Sequence, residues 1–281
     1  MNRENFFMEG VLYDGAGNHF LMFDGRGIIN LEVAFPSERV VSLCSAVPDT
    51  VPDGLIVLLD PTAEGCDFSM HYFNRDGSGG SMCGNGGRCI AAFARDLGIR
   101  PASEDGIYRF IAAGKPYSAE ILEDSGATKV VRLSLPDVED AENLPDPAGW
   151  YLDTGCPHFV SFLKDAEALE TLDIAPAALP LRHHKVFPYG VNVDFLAPLA
   201  KDSFAIRTFE RGVEAETLAC GTGVVASAIS AALALGLAGP LHLGFKALGG
   251  NLSVDLTVPD ECKGGTPVAT DIYLTGPTRR H

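Results

Sequence analysis

The feature that most constrains this chain is a pattern that occurs twice: a strand-like segment, a polar loop, a cysteine and a helix-like run. In the first copy Cys83 begins CGNGG, and apolar residues then recur at helical spacing until Gly98. In the second copy Cys220 begins CGTG, and the helical run ends at Gly236. The copies lie nearly half of the 281-residue chain apart, which indicates an internally duplicated fold.

Three further pairs of segments repeat in register with the two cysteines. GNHFLMF matches CPHFVSF, DGLIV matches YGVNV, and the turn at Ala113–Gly114 matches the one at Gly249–Gly250. We therefore predict an α+β fold of two pseudo-symmetric halves, each a mostly antiparallel sheet wrapped around a central helix, with the active site in the cleft between them. The second helical run is almost uniformly small and apolar, so we expect it to be enclosed on all sides.

The predicted halves comprise residues 1–125 and 126–271, and a last strand, 272–281, can return to the first half. An acidic, proline-bearing segment, 137–149, has the composition of a linker between the halves. In the first half, the apolar segment IINLEV at 28–33 is predicted to be a strand.

Composition and charge exclude several classes of function. A net charge of −16 disfavours nucleic acid and anionic membranes as partners, and no apolar run is long enough to span a membrane. The seven cysteines have no regular spacing, and the first residues lack the basic-then-apolar order of a signal peptide. We therefore expect a cytoplasmic protein without a disulfide scaffold or a metal site. Four cysteines are predicted to be packing residues: Cys44, Cys66, Cys89 and Cys262.

The placement of Cys83 and Cys220 before helices suggests a chemistry. Unpaired backbone N–H groups at a helix N-terminus bind a carboxylate and lower the pKa of an adjacent thiol. Moving a proton from one face of a carbon to the other needs a base on the first face and an acid on the second, and a thiolate and a thiol can do this with no cofactor. The pattern therefore predicts stereoinversion at a carbon next to a carboxylate.

Six motifs along nearly the whole chain carry a family resemblance: FNRDGSGGSMCGNGGRC, GNHF, the PHF that contains His158, VNVDF, ERGVEAETLACGTG and the closing LTGP. With these motifs the chain resembles the diaminopimelate epimerase family. The resemblance implies the interconversion of LL- and meso-diaminopimelate without pyridoxal phosphate (PLP), in lysine and cell-wall biosynthesis. It also implies a small-molecule amino-acid substrate, no cofactor and a homodimer.

The resemblance further implies roles for the residues that match family motifs. Cys83 and Cys220 would be the acid/base pair, and His158 and Glu210 would tune the thiols. Four residues would hold the carboxylate at the reacting centre: Gly84, Asn85, Gly221 and Thr222. Five would hold the distal end of the substrate: Asn18, Asn74, Asn192, Glu210 and Arg211.

The chain departs from the usual family sequence at four places. At the first, Leu12, Tyr13 and Asp14 stand where a lysine commonly precedes the first glycine motif. His19 stands where the family usually has an aspartate, Cys156 where it has an asparagine, and SAVPDTVPDG replaces a glycine-rich loop before Leu55. Cys156 would remove a contact to the distal end of the substrate. Cys156 and the altered loop motivate an alternative function, a two-cysteine racemase of another amino acid, of the histidine or proline type.

Less specific interpretations also apply. His158 could be a hydrogen-bonded strand histidine, the three asparagines could be turn or cap residues, and Arg211 could pair with Glu210 at the surface. A ligand-binding protein that retains the pocket without turnover is a third hypothesis, which the presence of both cysteines disfavours.

Overall fold

A computed structural model describes residues 10–80, 82–260 and 266–281, which form sixteen strands and six helices. Cys262 lies outside these residues, so its predicted packing role stays a prediction. The chain divides into two compact units, Met1–Leu133 with Pro277–His281, and Ser134–Gly276. The predicted boundary after residue 125 falls in the turn of a β-hairpin whose buried residues include Ala119 and Leu133.

The sheet of the first unit contains seven strands in chain order. Neighbouring strands are antiparallel, except for the pairs β2–β3 and β4–β5, which are parallel. Helices lie in the two crossover connections: α1 (Leu31–Ala34) and α2 (Ser37–Ser45) after β2, and α3 (Gly84–Asp96) after β4. The strands are β1 (Val11–Gly15), β2 (Asn18–Asp24), β3 (Gly54–Leu59), β4 (Phe68–Asn74), β5 (Tyr108–Ala112), β6 (Lys115–Ser125) and β7 (Thr128–Leu135).

The sheet of the second unit repeats this plan. Its parallel pairs are β10–β11 and β12–β14, and its crossover helices are α4 (Ala166–Glu170) and α5 (Ile174–Arg182) after β10, and α6 (Gly221–Ala234) after β13. The strand order is β16-β15-β14-β12-β11-β10-β9-β8, with β13 beside β12. The strands are β8 (Ala141–Pro145), β9 (Ala148–Asp153), β10 (Pro157–Phe162), β11 (Asn192–Ala200), β12 (Ser203–Glu210), β13 (Ala215–Thr217), β14 (Gly239–Ala247), β15 (Gly250–Val258) and β16 (Thr270–Arg280).

Each unit buries one central helix against its sheet. α3 packs against β1, β2, β3 and β6, and α6 packs against β9, β10, β11 and β15. Apart from the half-buried Thr222, α6 is buried at every position from Gly221 to Ala232, as predicted from its small apolar side chains. The α+β class, with a mostly antiparallel sheet around a central helix in each half, is confirmed. The predicted position of the active site stays a prediction.

A second apolar layer covers the other side of the sheet in each unit. In the first unit Phe35, Val40 and Cys44 from the α1–α2 region pack against residues of β2 and β3. In the second, α4 and α5 contribute Leu169, Ile174 and Ala178 to the equivalent cluster. The strands between the two layers, such as β3 and the first part of β11, are therefore buried on both faces, which explains their continuous apolar runs.

Two sequence predictions are wrong. The segment 28–33, predicted as a strand, enters helix α1, because the Asn30 side chain accepts a hydrogen bond from the Val33 amide (3.0 Å) and so caps a helix. The segment 137–149, predicted as a linker, forms β8 and the start of β9. Its acidic residues are mostly exposed, whereas Leu144 is buried, so the segment is half of an amphipathic hairpin.

Candidate active site

Cys83 and Cys220 occupy the same position in the two units, the residue that precedes the first turn of the central helix. Their backbone angles are nearly identical, φ −110° and ψ 123° for Cys83 and φ −107° and ψ 111° for Cys220. Their carbonyls accept the first helical hydrogen bonds, from Gly87 (2.7 Å) and Val224 (2.9 Å). Neither side chain caps its own helix. The prediction that both cysteines directly precede helices is confirmed.

In the first unit a chain of amide hydrogen bonds lies beside Cys83. Asn85 donates to Asn18 Oδ1 (2.8 Å), and Asn18 donates to Asp53 Oδ2 (3.1 Å), which also accepts from the His19 amide (3.1 Å). Asn85 is buried, and a side chain on Gly15 would clash with its carbonyl. The predicted residues Asn18 and Asn85 are therefore brought together at the start of α3.

Arg88 lies wholly buried in the first turns of α3. Its guanidinium donates to Asn85 Oδ1 (2.9 Å) and to the Gly84 carbonyl (3.4 Å). Burial lowers the pKa of Arg88, and attraction to Cys89, Cys83 and Asp14 opposes this. An arginine remains charged even so. A buried positive charge thus lies within interaction range of Cys83.

Asn74 ends β4 and belongs to a tight turn. Its side chain donates to Ser78 Oγ (2.9 Å), and its backbone bonds to both Gly77 and Ser78. The structure therefore gives Asn74 the turn role that was the less specific interpretation. Its predicted contact with substrate stays a prediction.

In the second unit His158 is fully buried between charged and polar partners. Its Nδ1 lies 2.7 Å from Asp194 Oδ2, and Asp194 Oδ1 accepts from the Thr208 hydroxyl (2.6 Å). Burial alone would lower the pKa of His158, but Asp194 and Cys156 outweigh it and raise the pKa to about 10. His158 is therefore an imidazolium at neutral pH, with Nδ1 donating to the carboxylate.

Thr222, in the first turn of α6, joins this histidine to Cys220. Its hydroxyl oxygen lies 3.0 Å from His158 Nε2 and 3.4 Å from Cys220 Sγ, while its carbonyl accepts from Thr154 (3.0 Å). α6 can approach so closely because the next residue is glycine: a Cβ on Gly223 would lie 2.4 Å from Asp194 Oδ1. The predicted residues Cys220, Gly221, Thr222 and His158 are thus brought together.

Cys156 belongs to the same cluster. Its sulfur lies 3.3 Å from each of three groups: His158 Nε2, the Thr222 hydroxyl and Asn192 Nδ2. Burial by itself would raise the pKa of Cys156, but the His158 charge and the hydrogen bonds from His158 and Thr222 lower it below the ordinary value for a thiol. A residue that the sequence marked only as a departure thus lies among the predicted site residues.

Cys220 differs from expectation in its acidity. The helix N-terminus predicts a lowered pKa, yet burial and the negative charges of Glu210 and Cys156 raise the pKa of Cys220 well above its ordinary value. Cys220 is only 8% exposed. Low solvation and neighbouring anions therefore decide its protonation, and the thiol is the stable form.

The last two predicted residues lie at the end of β12. Glu210 accepts from the Thr217 hydroxyl (2.6 Å), and the Arg211 amide donates to Asn192 Oδ1 (2.8 Å). The exposed Arg211 guanidinium makes long hydrogen bonds to the carbonyls of Tyr189 (3.4 Å) and Gly190 (3.5 Å). Arg211 and Glu210 thus each form hydrogen bonds to other groups, whereas one interpretation paired them with each other at the surface.

Sequence reasoning missed Asp194, Arg88 and Asp53. Asp194 follows Asn192 by two residues in the motif VNVDF, so strand alternation places both on one face, a signal that could have found it. Arg88 lies four residues after Gly84, about one helical turn, so the sequence also indicates that these two residues are neighbours. Asp53 meets Asn18 only through the parallel pairing of β2 and β3.

One group of side chains in the described part of the chain has a spacing that could suit a metal ion: Asp14, His19 and His281. His281 Nε2 lies 3.0 Å from Asp14 Oδ2, and both side chains are partly exposed. This hydrogen bond accounts for the closeness of Asp14 and His281. In the same described ranges, no helix combines the length and apolar character that crossing a membrane requires.

Several known proteins are similar to this chain in sequence. A family model described as diaminopimelate epimerase matches residues 150–273. The diaminopimelate epimerase of Chlorobaculum tepidum is 43% identical, over 76% of this chain and 80% of its own. That of a Hydrogenobaculum species is 34% identical, over 95% of this chain and 94% of its own.

Solved structures share the fold at low sequence identity. A Bacillus anthracis phenazine biosynthesis protein of the PhzF family has a TM-score of 0.69 and 13% identity, over 96% of this chain and 95% of its own. A probable proline racemase from Agrobacterium radiobacter has a TM-score of 0.62 and 17% identity, over 97% and 90%. These likenesses concern the fold, whereas the identity and coverage of the sequence relatives place this chain in the diaminopimelate epimerase family.

Proposed function

We propose that this protein interconverts LL- and meso-2,6-diaminopimelate by a two-thiol acid/base mechanism that needs neither PLP nor a metal, in lysine and peptidoglycan biosynthesis. The observation that carries the proposal is the matched placement of Cys83 and Cys220 at the N-termini of two buried helices. The names of the relatives supply the substrate. The mechanism requires both thiols to reach one carbon of the substrate from opposite faces.

The charges around the cysteines support a resting role for each of them. Arg88 favours the thiolate of Cys83, whereas Glu210, Cys156 and burial keep Cys220 protonated. Cys83 then removes the α-proton, and Cys220 donates its proton to the opposite face of the carbon. After one turnover the roles are exchanged, so the reverse reaction begins from Cys220 thiolate and Cys83 thiol.

The helix N-termini support the developing charge. As the α-proton leaves, negative charge moves onto the adjacent carboxylate, and donors aimed at that charge lower the barrier. The first turns of α3 and α6, with Gly84, Asn85, Gly221 and Thr222, supply such donors. The protein's own groups can therefore stabilise the enolate-like intermediate.

The distal amino-acid end of the substrate would be held by Asn18, Asn74, Asn192, Glu210 and Arg211. Arg211 is the best candidate for the distal carboxylate, because its guanidinium is exposed and its described hydrogen bonds to carbonyls are long. Glu210 suits the distal ammonium group. Membership of the family also leads us to propose a cytoplasmic homodimer, which sedimentation of the purified protein would test.

The alternative is a two-cysteine racemase of another amino acid, such as histidine or proline. It is favoured by Cys156, which replaces the usual asparagine, and the fold of the probable proline racemase is compatible with it. Both functions use the same two cysteines. Only the substrate distinguishes them.

Exchange of the α-proton with solvent deuterium tests the proposal. The protein is incubated in D₂O with LL-diaminopimelate, L-lysine, L-histidine or L-proline, and deuterium at the α-carbon is followed by NMR. We expect incorporation with diaminopimelate alone, unaffected by a chelator or a carbonyl reagent. Exchange of histidine or proline but not diaminopimelate would establish the alternative, and exchange of none would favour a binding protein. Cys66→Ala, outside the site, is the matched control for Cys83→Ala and Cys220→Ala.

A further inference from the structure

The cluster around Cys156 has the arrangement of an activated nucleophile, with a thiol, an imidazole and a carboxylate in sequence. Cys156 Sγ lies 3.3 Å from His158 Nε2, and His158 Nδ1 lies 2.7 Å from Asp194 Oδ2. A base that is within hydrogen-bond reach of a thiol and oriented by a third group is the general signature of nucleophilic catalysts. Neither the family resemblance nor the two-thiol mechanism assigns such a role to this cysteine.

Two further groups are directed at the same sulfur. Asn192 Nδ2 donates to it (3.3 Å), and the Thr222 hydroxyl, also at 3.3 Å, can donate to it. Amide and hydroxyl hydrogens directed at sulfur stabilise its charged form. The same Thr222 oxygen can accept from the Cys220 thiol (3.4 Å), which orders a chain from a protonated Cys220 to an ionised Cys156.

We propose that Cys156 is a further reactive thiol of this unit and the third of the proposed site, a nucleophile that His158 and Asp194 activate toward small, soft electrophiles. In the resting protein the thiol proton lies on His158 Nε2, and Asp194 stabilises the resulting imidazolium. With an alkyl iodide, the Cys156 sulfur attacks the carbon, the C–S bond forms, the C–I bond breaks and iodide leaves. No proton is released in this step, because the thiol has already transferred its proton to His158.

Among the described residues, the titratable groups around this sulfur lie on four elements. His158 is on β10, Asp194 on β11, Glu210 at the end of β12, and Cys220 at the start of α6. The imidazolium is the one cation among them, and it contacts Cys156 directly. Glu210 and Asp194 disfavour ionisation of Cys220. The two sulfurs share Thr222 but differ in reactivity, so Cys156 should be modified before Cys220.

The pH dependence of alkylation tests this proposal. The wild-type protein and a model cysteine peptide react in one tube with limiting iodoacetamide between pH 7 and 8.5, and peptide mass spectrometry measures the rate at each cysteine. The rate for a peptide thiol with a pKa of ~8.5 rises about fifteenfold over this range. We expect the rate at Cys156 to rise by less than half of the factor seen for the peptide, and to exceed that at Cys220 by at least about tenfold at pH 7.

Two variants test the contributions of His158 and Asp194 to the reactivity of Cys156 separately. His158→Gln removes the proton acceptor and should give Cys156 the rising profile of the model peptide. Asp194→Asn keeps the imidazole and should shift the profile toward higher pH. Should either variant fail to fold, as judged by circular dichroism, the wild-type profile alone decides. A Cys156 rate that rises in parallel with the peptide, or modification of Cys220 first, would overturn the proposal. This measurement involves no turnover, so a failed exchange assay would leave it standing.

Discussion

The helix N-termini at Cys83 and Cys220 have nearly the same backbone geometry, but their electrostatic environments differ. Around Cys83 the neighbours are amides, from Asn85 and Asn18, and a buried guanidinium from Arg88. Around Cys220 they are a hydroxyl, an imidazolium–carboxylate pair, and the negative charges of Cys156 and Glu210. The duplicated frame thus gives the two cysteines matched backbone positions, and the side chains around them give different electrostatic surroundings.

This difference matters because an acid/base pair needs one protonated member at the start of each turnover. Two cysteines in identical surroundings would each be the thiolate in half of the singly ionised molecules. A cation near one and anions near the other favour a single arrangement. The asymmetry of the two halves therefore favours one of the two starting arrangements that the proposed mechanism uses.

The largest expected effect is the loss of epimerisation when either cysteine is removed. Cys83→Ala and Cys220→Ala each delete the proton carrier for one face, so epimerisation should fall by at least about a thousandfold in both. Measurement of α-proton exchange from each stereoisomer shows which face is affected. Near-wild-type epimerisation by either variant contradicts the two-base mechanism, and Cys66→Ala should behave as wild type.

The imidazolium–carboxylate pair should make the second unit sensitive to pH. The folded pKa of His158, about 10, lies above its unfolded value of ~6.5, so the pair stabilises the fold fully below pH ~6.5 and loses this effect as pH rises through 10. Asp194→Asn leaves the imidazole without its carboxylate, which should cost roughly 3–5 kcal/mol at pH 6 and less near pH 10. Urea unfolding at pH 6, 8 and 10 measures this dependence.

Asp53→Asn is the matched control for that experiment. Asp53 accepts hydrogen bonds from the Asn18 side chain and the His19 amide. We expect a smaller loss of stability, with little change between pH 6 and 10. Equal behaviour of the two variants would mean that the halves do not differ in the way described.

Substitution of Arg211 tests the part of the second unit that is proposed to bind the distal carboxylate of the substrate. A charged hydrogen bond to a buried ligand is worth roughly 2–5 kcal/mol when one partner is truncated, so Arg211→Ala should lower kcat/KM for diaminopimelate about a hundredfold or more. Arg211→Lys should recover little, because an ammonium cannot bind a carboxylate bidentately. Thermal unfolding should be nearly unchanged in both. Wild-type turnover by Arg211→Ala would make the other-amino-acid racemase the better hypothesis.

Equivalent glycines in the two helices allow a direct comparison. A Cβ on Gly223 would lie 2.4 Å from Asp194 Oδ1 and 3.2 Å from His158 Cε1, whereas one on Gly86 would lie 2.8 Å from the terminal methyl of Ile56. A methyl group can move and a buried charged pair cannot, so Gly223→Ala should lose about 1–3 kcal/mol of stability and Gly86→Ala less. The reverse order in chemical unfolding would contradict the rigidity ascribed to the second site.

The smallest effect is expected for Cys156→Asn. This variant introduces the residue that the family usually has, so diaminopimelate turnover should stay the same or rise by a few-fold. The variant should also lose all iodoacetamide labelling at this position. Loss of turnover by a factor of ten or more would mean that this chain depends on its own cysteine.

Local patterns made much of the fold predictable. Helical spacing followed by a terminal glycine predicted α3 and α6, and alternation predicted the strands around them. Where a single side chain decided the conformation, as Asn30 did by capping α1, periodicity gave the wrong result. The composition of 137–149 was equally misleading, because an acidic exposed strand has the residues of a linker.

By itself, the sequence determined that the fold is duplicated, that each half has a central helix, and that Cys83 and Cys220 precede those helices. These properties depend on neighbours in the chain, through capping, spacing and turn chemistry. Only the tertiary structure decided how the two thiols differ. His158, Asp194 and Thr222 lie on separate elements, and they meet because β10 pairs with β11 and Gly223 lets α6 approach. Protonation depends on burial and on nearby charges, and distant segments bring both to the site.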